Sequence, residues 1–192
     1  AHTGARVVAG AAERARRSVS VRLVVRAAVY AALYATLTLA PGLNAIAYGP
    51  VQLRISEALT LFACFDPAAV VGLTVGTAIA NVASPVAVFD VPFGAALTLI
   101  ATFAMWRLGP CWAALAVPVV VNGLGVGFEL ALLTDVPYWY AVAFVSFGEA
   151  VVLFTGGAAL LAVLRRHGGR YGLPGGAPGA ALGGDYEARR TR

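Results

Sequence analysis

Residues 112–133 read WAALAVPVVVNGLGVGFELALL, and the only ionisable side chain in this run belongs to Glu129. A helix that crosses a bilayer needs about 20 consecutive, mainly apolar residues. The run therefore predicts a membrane-spanning helix. Outward from it, the chain is almost continuously apolar from Leu23 to Leu164, with short turn signals between the apolar runs. This block has room for about six helices packed as one domain.

The composition excludes several kinds of chemistry. Hydrophobic residues make up 60% of the 192 positions and charged residues 12%, about half of the roughly 25% found in soluble domains. The sequence contains arginine but no lysine, so it has neither a Schiff-base lysine nor a Walker-type phosphate loop. A transport process driven by ATP would therefore need another subunit to hydrolyse it. The two cysteines, Cys64 and Cys111, are too few for a disulfide framework.

The turn signals divide the chain into three predicted regions. Residues 1–22 form an arginine-rich cytoplasmic segment, residues 23–166 a six-helix membrane domain, and residues 167–192 a cytoplasmic tail rich in glycine and proline that we expect to be disordered. The predicted spans lie at about 23–39, 55–65, 67–84, 90–107, 112–133 and 138–164. The alternative for the first apolar run is a signal peptide cleaved near Ala45-Ile46-Ala47, but the run is long for that and further spans follow.

The distribution of arginine predicts the orientation of the bundle in the plasma membrane. With six spans and both termini in the cytoplasm, the loops at about 41–54, 84–90 and 134–138 lie outside. Every arginine except Arg54 then lies on the cytoplasmic side, as the positive-inside rule requires. This topology explains the net charge of +5, which therefore does not indicate a nucleic-acid partner.

Ionisable side chains interrupt the apolar pattern where charge is costly. Arg54 and Glu57 are three residues apart and share a helix face, so they form either a structural ion pair or part of a binding site. Glu149 lies well inside the last span, where a charge costs about 3 kcal/mol or more and needs a partner or a wet cavity. A structural pair with Arg54 is the alternative there. Glu129 lies nearer the outer end of its span, and we expect it to be solvated.

Other polar residues are candidates for contacts inside the bundle. Asn81 and Asn122 are expensive to leave unpaired in lipid, and they serve either helix packing or ligand binding. Asp90 precedes a Val-Pro pair and is most simply a helix N-cap. The two histidines, His2 and His167, lie in the terminal segments and predict no metal site.

Small residues form two rows on the first span. Ala27, Ala31 and Ala35 share one face, and Ala28 and Ala32 lie beside it. Such rows let helices approach closely, either within one chain or between a chain and its partner. In a chain this rich in alanine, packing within the chain is the simpler explanation.

Residues 49–60, GPVQLRISEALT, resemble the signature of the queuosine-precursor transporter (QueT) family, whose members are substrate-binding S components of energy-coupling-factor (ECF) transporters. The RISEALT run is the specific match. The likeness continues through DPA at 66–68, FDVPFG at 89–94, PVVVN at 118–122 and FGE at 147–149. It extends over about residues 26–166, which is nearly all of the apolar block.

The resemblance implies a six-helix S component that captures a deazaguanine outside the cell, with no cofactor and no metal. It also implies the lipid bilayer and three partner chains, namely a transmembrane coupling subunit and two ATPase subunits. S components contact the coupling subunit through small residues of the first helix, so the alanine rows would form that interface. The implied substrate-binding residues are Arg54, Glu57, Asn81, Asp90, Phe93, Asn122 and Glu149.

These residue types suit a guanine-like base. Its Watson–Crick edge offers two adjacent N–H donors, which a carboxylate accepts side by side, and a carbonyl, which an asparagine amide serves. The ring would also need an aromatic or apolar wall.

Two alternative functions remain open. One is a stand-alone proton-coupled carrier with a glutamate as its proton site. The other is a small membrane-embedded enzyme that uses Glu57 and Glu149 as an acid–base pair.

Overall fold

The computed structural model describes residues 2–47 and 53–167, with residues 2–20, 44, 45 and 167 described by their backbone alone. Within these ranges, every regular element is a helix. The elements are α1 (His2–Leu39), α2 (Leu43–Ala47), a 3₁₀ helix (Ile55–Cys64), α3 (Pro67–Asn81), α4 (Ala87–Leu108), α5 (Trp112–Leu133), α6 (Tyr138–Val152), a π-helical turn (Leu153–Gly157) and α7 (Ala158–His167). The last three follow one another without a break and form one long helix.

Some of the helices are long enough to cross a membrane and others are shorter. Among the described residues, four stretches are long and apolar enough, over residues 21–39, 87–108, 112–133 and 138–166. The other two predicted spans are shorter, since the 3₁₀ helix has 10 residues and α3 has 15. A 3₁₀ helix rises about 2.0 Å per residue and an α-helix about 1.5 Å, so each of these is roughly 20 Å long. The predicted all-α membrane bundle is confirmed, with four long and two short apolar helices.

The 3₁₀ helix lies at the centre of the bundle. It packs against α1, α3, α4, α5, α6 and α7, while α1 packs chiefly on α3 and α5 on α6. Six of its ten residues are buried, namely Ser56, Glu57, Thr60, Leu61, Ala63 and Cys64. Because this helix carries a carboxylate and two hydroxyl groups into the core, those groups need hydrogen-bond partners from its neighbours.

Glycines in α3 let α1 come close. A side chain at Gly76 would place a Cβ 2.9 Å from the backbone oxygen of Ala31, and one at Gly72 would collide with the backbone oxygen of Ala27. Both alanines are buried, as is Ala35 one turn further along α1. This row of small residues therefore packs within the chain.

The start of α3 agrees with the sequence pattern. Asp66 is the N-cap, its Oδ1 accepts a hydrogen bond from the backbone N–H of Ala68 at 2.9 Å, and Pro67 takes the first helical position. The bounds of α5 are also those predicted from its apolar run.

The prediction that Asp90 is an N-cap is wrong. α4 begins at Ala87 with Val86 at its cap position. The helix starts early because a turn precedes it, in which the Oγ of Ser84 accepts a hydrogen bond from the backbone N–H of Val86 at 3.2 Å. Asp90 consequently lies inside the helix and is buried, and its backbone oxygen accepts a hydrogen bond from the side chain of Asn81 at 2.7 Å.

The structure describes the predicted N-terminal segment but not most of the predicted C-terminal tail. α1 is continuous from His2, so the arginine-rich segment predicted over residues 1–22 is helical from residue 2 onwards and leads directly into the first span. Residues 168–192 of the tail, for which we predicted disorder, lie outside the described residues. The same holds for residues 48–52, which include the beginning of the signature motif.

Candidate functional site

The helix directions bring most of the polar candidates into one half of the bundle. Asn81 is the last residue of α3, and Asp90 lies near the start of α4. Arg54 directly precedes the 3₁₀ helix, and Glu57 lies in its first turn. Because short connections join the 3₁₀ helix to α3 and α3 to α4, the start of the first, the end of the second and the start of the third lie at the same end of the bundle.

Glu57 is held by α1. Its side chain is 2% exposed, and its Oε1 accepts a hydrogen bond from the hydroxyl group of Tyr34. The Oγ1 of Thr38, one turn further along α1, lies 2.6 Å from the Oγ of Ser56. Glu57 thus has at least one oxygen engaged in joining α1 to the 3₁₀ helix, which gives it a structural contact whether or not it also contacts a ligand.

Glu149 is held by α5, which approaches α6 closely. A Cβ at Gly127 would lie 2.7 Å from the Cγ2 of Val142 on α6, so glycine permits the contact. Across this interface, the Nδ2 of Asn122 donates a hydrogen bond to the Oε1 of Glu149 at 2.7 Å. The Oε2 of Glu149 is buried and has no hydrogen-bond partner among the described residues. One carboxylate oxygen is therefore fixed by Asn122, and the other is a buried acceptor without a protein donor among the described residues.

Arg54 provides the positive charge of this half. Its side chain is buried, and its guanidinium attracts Glu57, Glu129 and Glu149. The ion pair between Arg54 and Glu57 stays a prediction, and the positive charge of Arg54 also acts on carboxyl groups of α5 and α6. The negative charges of Glu57 and Glu149 repel each other, and the carboxyl group of Glu129 lies within hydrogen-bond reach of that of Asp90. Because these interactions link all five groups, they form one electrostatic cluster.

Asn81 connects α3 to α4. The residue is fully buried, and its Nδ2 donates to the backbone oxygen of Asp90 and lies 3.5 Å from the Oδ1 of the same residue. A side chain at Gly94 would collide with this Nδ2 atom, so glycine gives the amide its place. The Oδ1 of Asn81 is buried without a hydrogen-bond partner in the described part of the chain. Asn81 therefore serves packing through its nitrogen and presents a free acceptor through its oxygen.

The prediction that Glu129 is solvated is wrong. Its side chain is 5% exposed, and its carboxyl group contacts that of Asp90 near the start of α4. Glu129 and Phe93 line the same cavity of about 360 Å³ between α4 and α5. The role of Phe93 in substrate binding stays a prediction. The remaining lining residues are Phe89, Pro92, Ala96, Phe128, Leu132 and Leu133.

A sequence signal for Glu129 exists in its spacing from Asn122. The two residues are seven positions apart, which is nearly two full turns of an α-helix, so they share one face of α5. The packing of α4 and α6 against α5 buries that face, so nearness to the end of the span does not expose the carboxylate.

The two alanine rows differ in what they can contact. The row of Ala27, Ala31 and Ala35 is buried within the chain. Ala28 and Ala32 are exposed on the other side of α1. The first row is therefore not available to a partner, and a partner contact through Ala28 and Ala32 stays a prediction.

Comparison with known proteins gives consistent findings. The family model of the QueT transporter matches residues 24–166. The chain is similar to the queuosine precursor transporter QueT of Lactococcus lactis subsp. cremoris (strain MG1363), with 31% identity over 147 residues that cover 69% of this chain and 86% of that protein. No solved structure matches the chain.

Proposed function

The chain belongs to the QueT transporter family, and from that premise we propose that it binds a queuosine precursor, a deazaguanine, as the S component of an ATP-driven ECF transporter. The chain is a multi-pass membrane protein, since a transporter family match coincides with four helices long and apolar enough to span a bilayer among the described residues. The bacterial relative is a queuosine precursor transporter, which supports the ligand class.

The observation that carries the ligand proposal is the free Oε2 of Glu149. A buried acceptor without a partner costs about 1–3 kcal/mol, and more when it is charged. A deazaguanine removes this cost because its Watson–Crick edge carries adjacent N–H donors. Asn122 favours the contact by holding Oε1, so that the carboxylate does not have to be ordered when the ligand arrives.

The arrangement of the other groups supports a binding site that opens on one side of the membrane. Four of the polar residues lie towards one end of the bundle, namely Arg54, Asn81, Asp90 and Glu129. Two others, Asn122 and Glu149, lie deeper in it. With both termini in the cytoplasm, as the arginine distribution favours, that end faces outside. The ligand would then enter from outside, pass the aromatic cavity, and meet Glu149 near the middle of the bundle.

Energy for transport would come from partner subunits. The sequence has no lysine and thus no Walker-type phosphate loop. This agrees with an S component whose ATP is hydrolysed by two ATPase subunits that act through a coupling subunit. Ala28 and Ala32 are the exposed small residues of α1 and would contact the coupling subunit.

The main alternative is a proton-coupled carrier that acts alone, and the buried carboxylates of Glu129 and Glu149 favour it over an enzyme. In the acid–base enzyme, Glu57 would need access to a substrate, whereas it is almost fully buried and hydrogen-bonded to Tyr34.

The proposal is tested by calorimetric titration of the purified protein with deazaguanines and with guanine analogues that lack the paired N–H edge, together with co-purification from its native membrane. We expect saturable binding of the first group, little binding of the second, and an ATPase module in the purified complex. Absence of deazaguanine binding would refute the ligand assignment. Ligand-dependent proton uptake by the chain alone in vesicles would refute the S-component role.

A further inference from the structure

Three exposed arginines lie together where the turn between α4 and α5 meets the end of α7. Arg107 is in the last turn of α4, and the Nε of Arg165 donates a hydrogen bond to the backbone oxygen of Pro110, in that turn, at 2.9 Å. Arg166 is the next residue of α7. We propose that this group, the arginine corner (Arg107, Arg165 and Arg166), binds the phosphodiester headgroup of an anionic phospholipid. The proposal concerns lipid, so it holds whether or not the chain binds a deazaguanine.

The positive charge of the arginine corner is not balanced within the described residues. None of its three guanidinium groups forms an ion pair there, and the oxygen of Pro110 carries no full charge. Asp66 supplies the acidic side chain described at this end of the bundle, and it is paired with Arg26. The C-terminal ends of α4 and α7 each offer only about half a negative charge. The arginine corner therefore favours an anionic group from outside the chain.

The neighbouring side chains indicate that the arginine corner lies at the edge of the lipid. The guanidinium of Arg107 lies 5.8 Å from the centre of the ring of Phe103, an exposed residue one turn earlier on α4. Arg166 likewise follows the exposed Val163 by three residues, so the two share a face of α7. Trp112 is exposed at the start of α5, and tryptophan is enriched at membrane interfaces. Because apolar, lipid-facing side chains lead up to both arginines, a lipid headgroup fits this position better than a soluble partner does.

The chemistry of arginine suits a phosphodiester with a net negative charge. A guanidinium presents its N–H donors in a planar fork that matches two phosphate oxygens, and it stays charged at physiological pH. In the predicted orientation this end faces the cytoplasm, where the anionic lipids of the inner leaflet attract basic side chains near the surface. A zwitterionic lipid carries a cation that offsets its own phosphate. The arginine corner should therefore prefer phosphatidylglycerol over phosphatidylcholine.

The tryptophans of the chain allow this preference to be measured at the arginine corner. Trp106 and Trp112 lie at the end of α4 and the start of α5, whereas Trp139 lies near the start of α6, at the opposite end of the bundle. In a full-length Trp139→Phe variant, the tryptophan fluorescence therefore reports on lipid at the arginine corner. The purified variant is reconstituted into phosphatidylcholine vesicles, and its quenching by brominated phosphatidylglycerol is compared with its quenching by brominated phosphatidylcholine. We expect the anionic lipid to be favoured by about 5- to 25-fold, which corresponds to one or two arginine–phosphate contacts.

Charge variants made in the same background separate a site from a general effect of charge. Arg107→Gln and Arg166→Gln should each lower the preference by about fivefold, and Arg107→Lys should keep most of it. Ala83→Glu changes the net charge by the same amount as Arg107→Gln, but in the exposed turn between α3 and α4 at the opposite end, and should leave the preference unchanged. Equal quenching by the two lipids, a preference that survives both glutamine substitutions, or an equal loss in Ala83→Glu would overturn the proposal. A preference that disappears when inorganic phosphate is added would indicate a site for a soluble anion, and would overturn it as well.

Discussion

Replacing Glu149 by glutamine tests the proposed ligand contact with almost no change in side-chain volume. In the structure, Asn122 donates a hydrogen bond to Oε1 at 2.7 Å, and Oε2 has no partner among the described residues. In the variant, the amide oxygen can accept the bond from Asn122, which places the NH2 group where Oε2 was. The N–H donors of a deazaguanine edge would then face a donor instead of an acceptor.

The size of the effect follows from the contacts involved. A hydrogen bond to a charged group contributes about 1.5–3 kcal/mol, and a donor forced against a donor adds a desolvation cost of about 1–3 kcal/mol. The binding free energy should therefore fall by about 3 kcal/mol or more, and since each 1.4 kcal/mol is a factor of ten, the Kd should rise at least about 100-fold. The bond to Asn122 survives in the variant, so the free energy of unfolding should change by only about 1 kcal/mol.

The assay is calorimetric titration of the purified variant with a deazaguanine, beside its thermal unfolding curve. Glu57→Gln is the matched comparison, because Glu57 is already hydrogen-bonded to Tyr34 in the core. We expect that substitution to lower the stability more and the affinity less than Glu149→Gln does. If Glu149→Gln unfolds like the wild type and binds the deazaguanine with native affinity, the ligand contact assigned to Glu149 is wrong.

Three further predictions concern topology, assembly and packing. A thiol introduced by Ala87→Cys, at the start of α4, should react with a membrane-impermeant reagent added outside cells. The native Cys111, beyond the other end of α4, should not react, and the reverse labelling pattern would mean that the predicted topology is inverted. Ala28→Trp should abolish co-purification of the coupling subunit and leave deazaguanine binding intact, and normal assembly in pull-down experiments would exclude this row as the interface. Gly76→Val should destabilise the protein by about 2 kcal/mol or more in thermal unfolding, because its Cβ would lie 2.9 Å from a backbone oxygen of α1, while Gly156→Ala, with nothing within 4 Å, should be neutral.

Span positions are accessible from the sequence because they depend on local apolar length. The run over 112–133 predicted α5 with the bounds that the structure shows, and the Asp-Pro pair at 66–67 predicted the start of α3. The 3₁₀ conformation of residues 55–64 was not predictable in the same way. An isolated 3₁₀ helix of ten residues is unfavourable, and here the surrounding helices stabilise it.

The site itself could be predicted only as a set of residue types. The hydrogen bonds from Tyr34 to Glu57 and from Asn122 to Glu149 join residues 23 and 27 positions apart, and periodicity within one helix does not specify such pairs. The error at Glu129 has a simpler cause. Its position near the outer end of the span suggested exposure to solvent. Its seven-residue spacing from Asn122 instead places it on the buried face of α5.

α1 connects the proposed docking row to the proposed ligand site. Ala32 lies on its exposed face, and Tyr34, two residues later on the buried face, donates its hydroxyl hydrogen to Glu57. Nearer the other end of the span, the guanidinium of Arg26 forms an ion pair with Asp66 at 2.5 Å, and Asp66 caps α3. α1 is thus attached to the 3₁₀ helix at its start and to α3 at its start. Because buried polar contacts of this kind have few alternative geometries, a displacement of α1 by a docked subunit would move Glu57 as well, and with it the electrostatic cluster at the proposed ligand site.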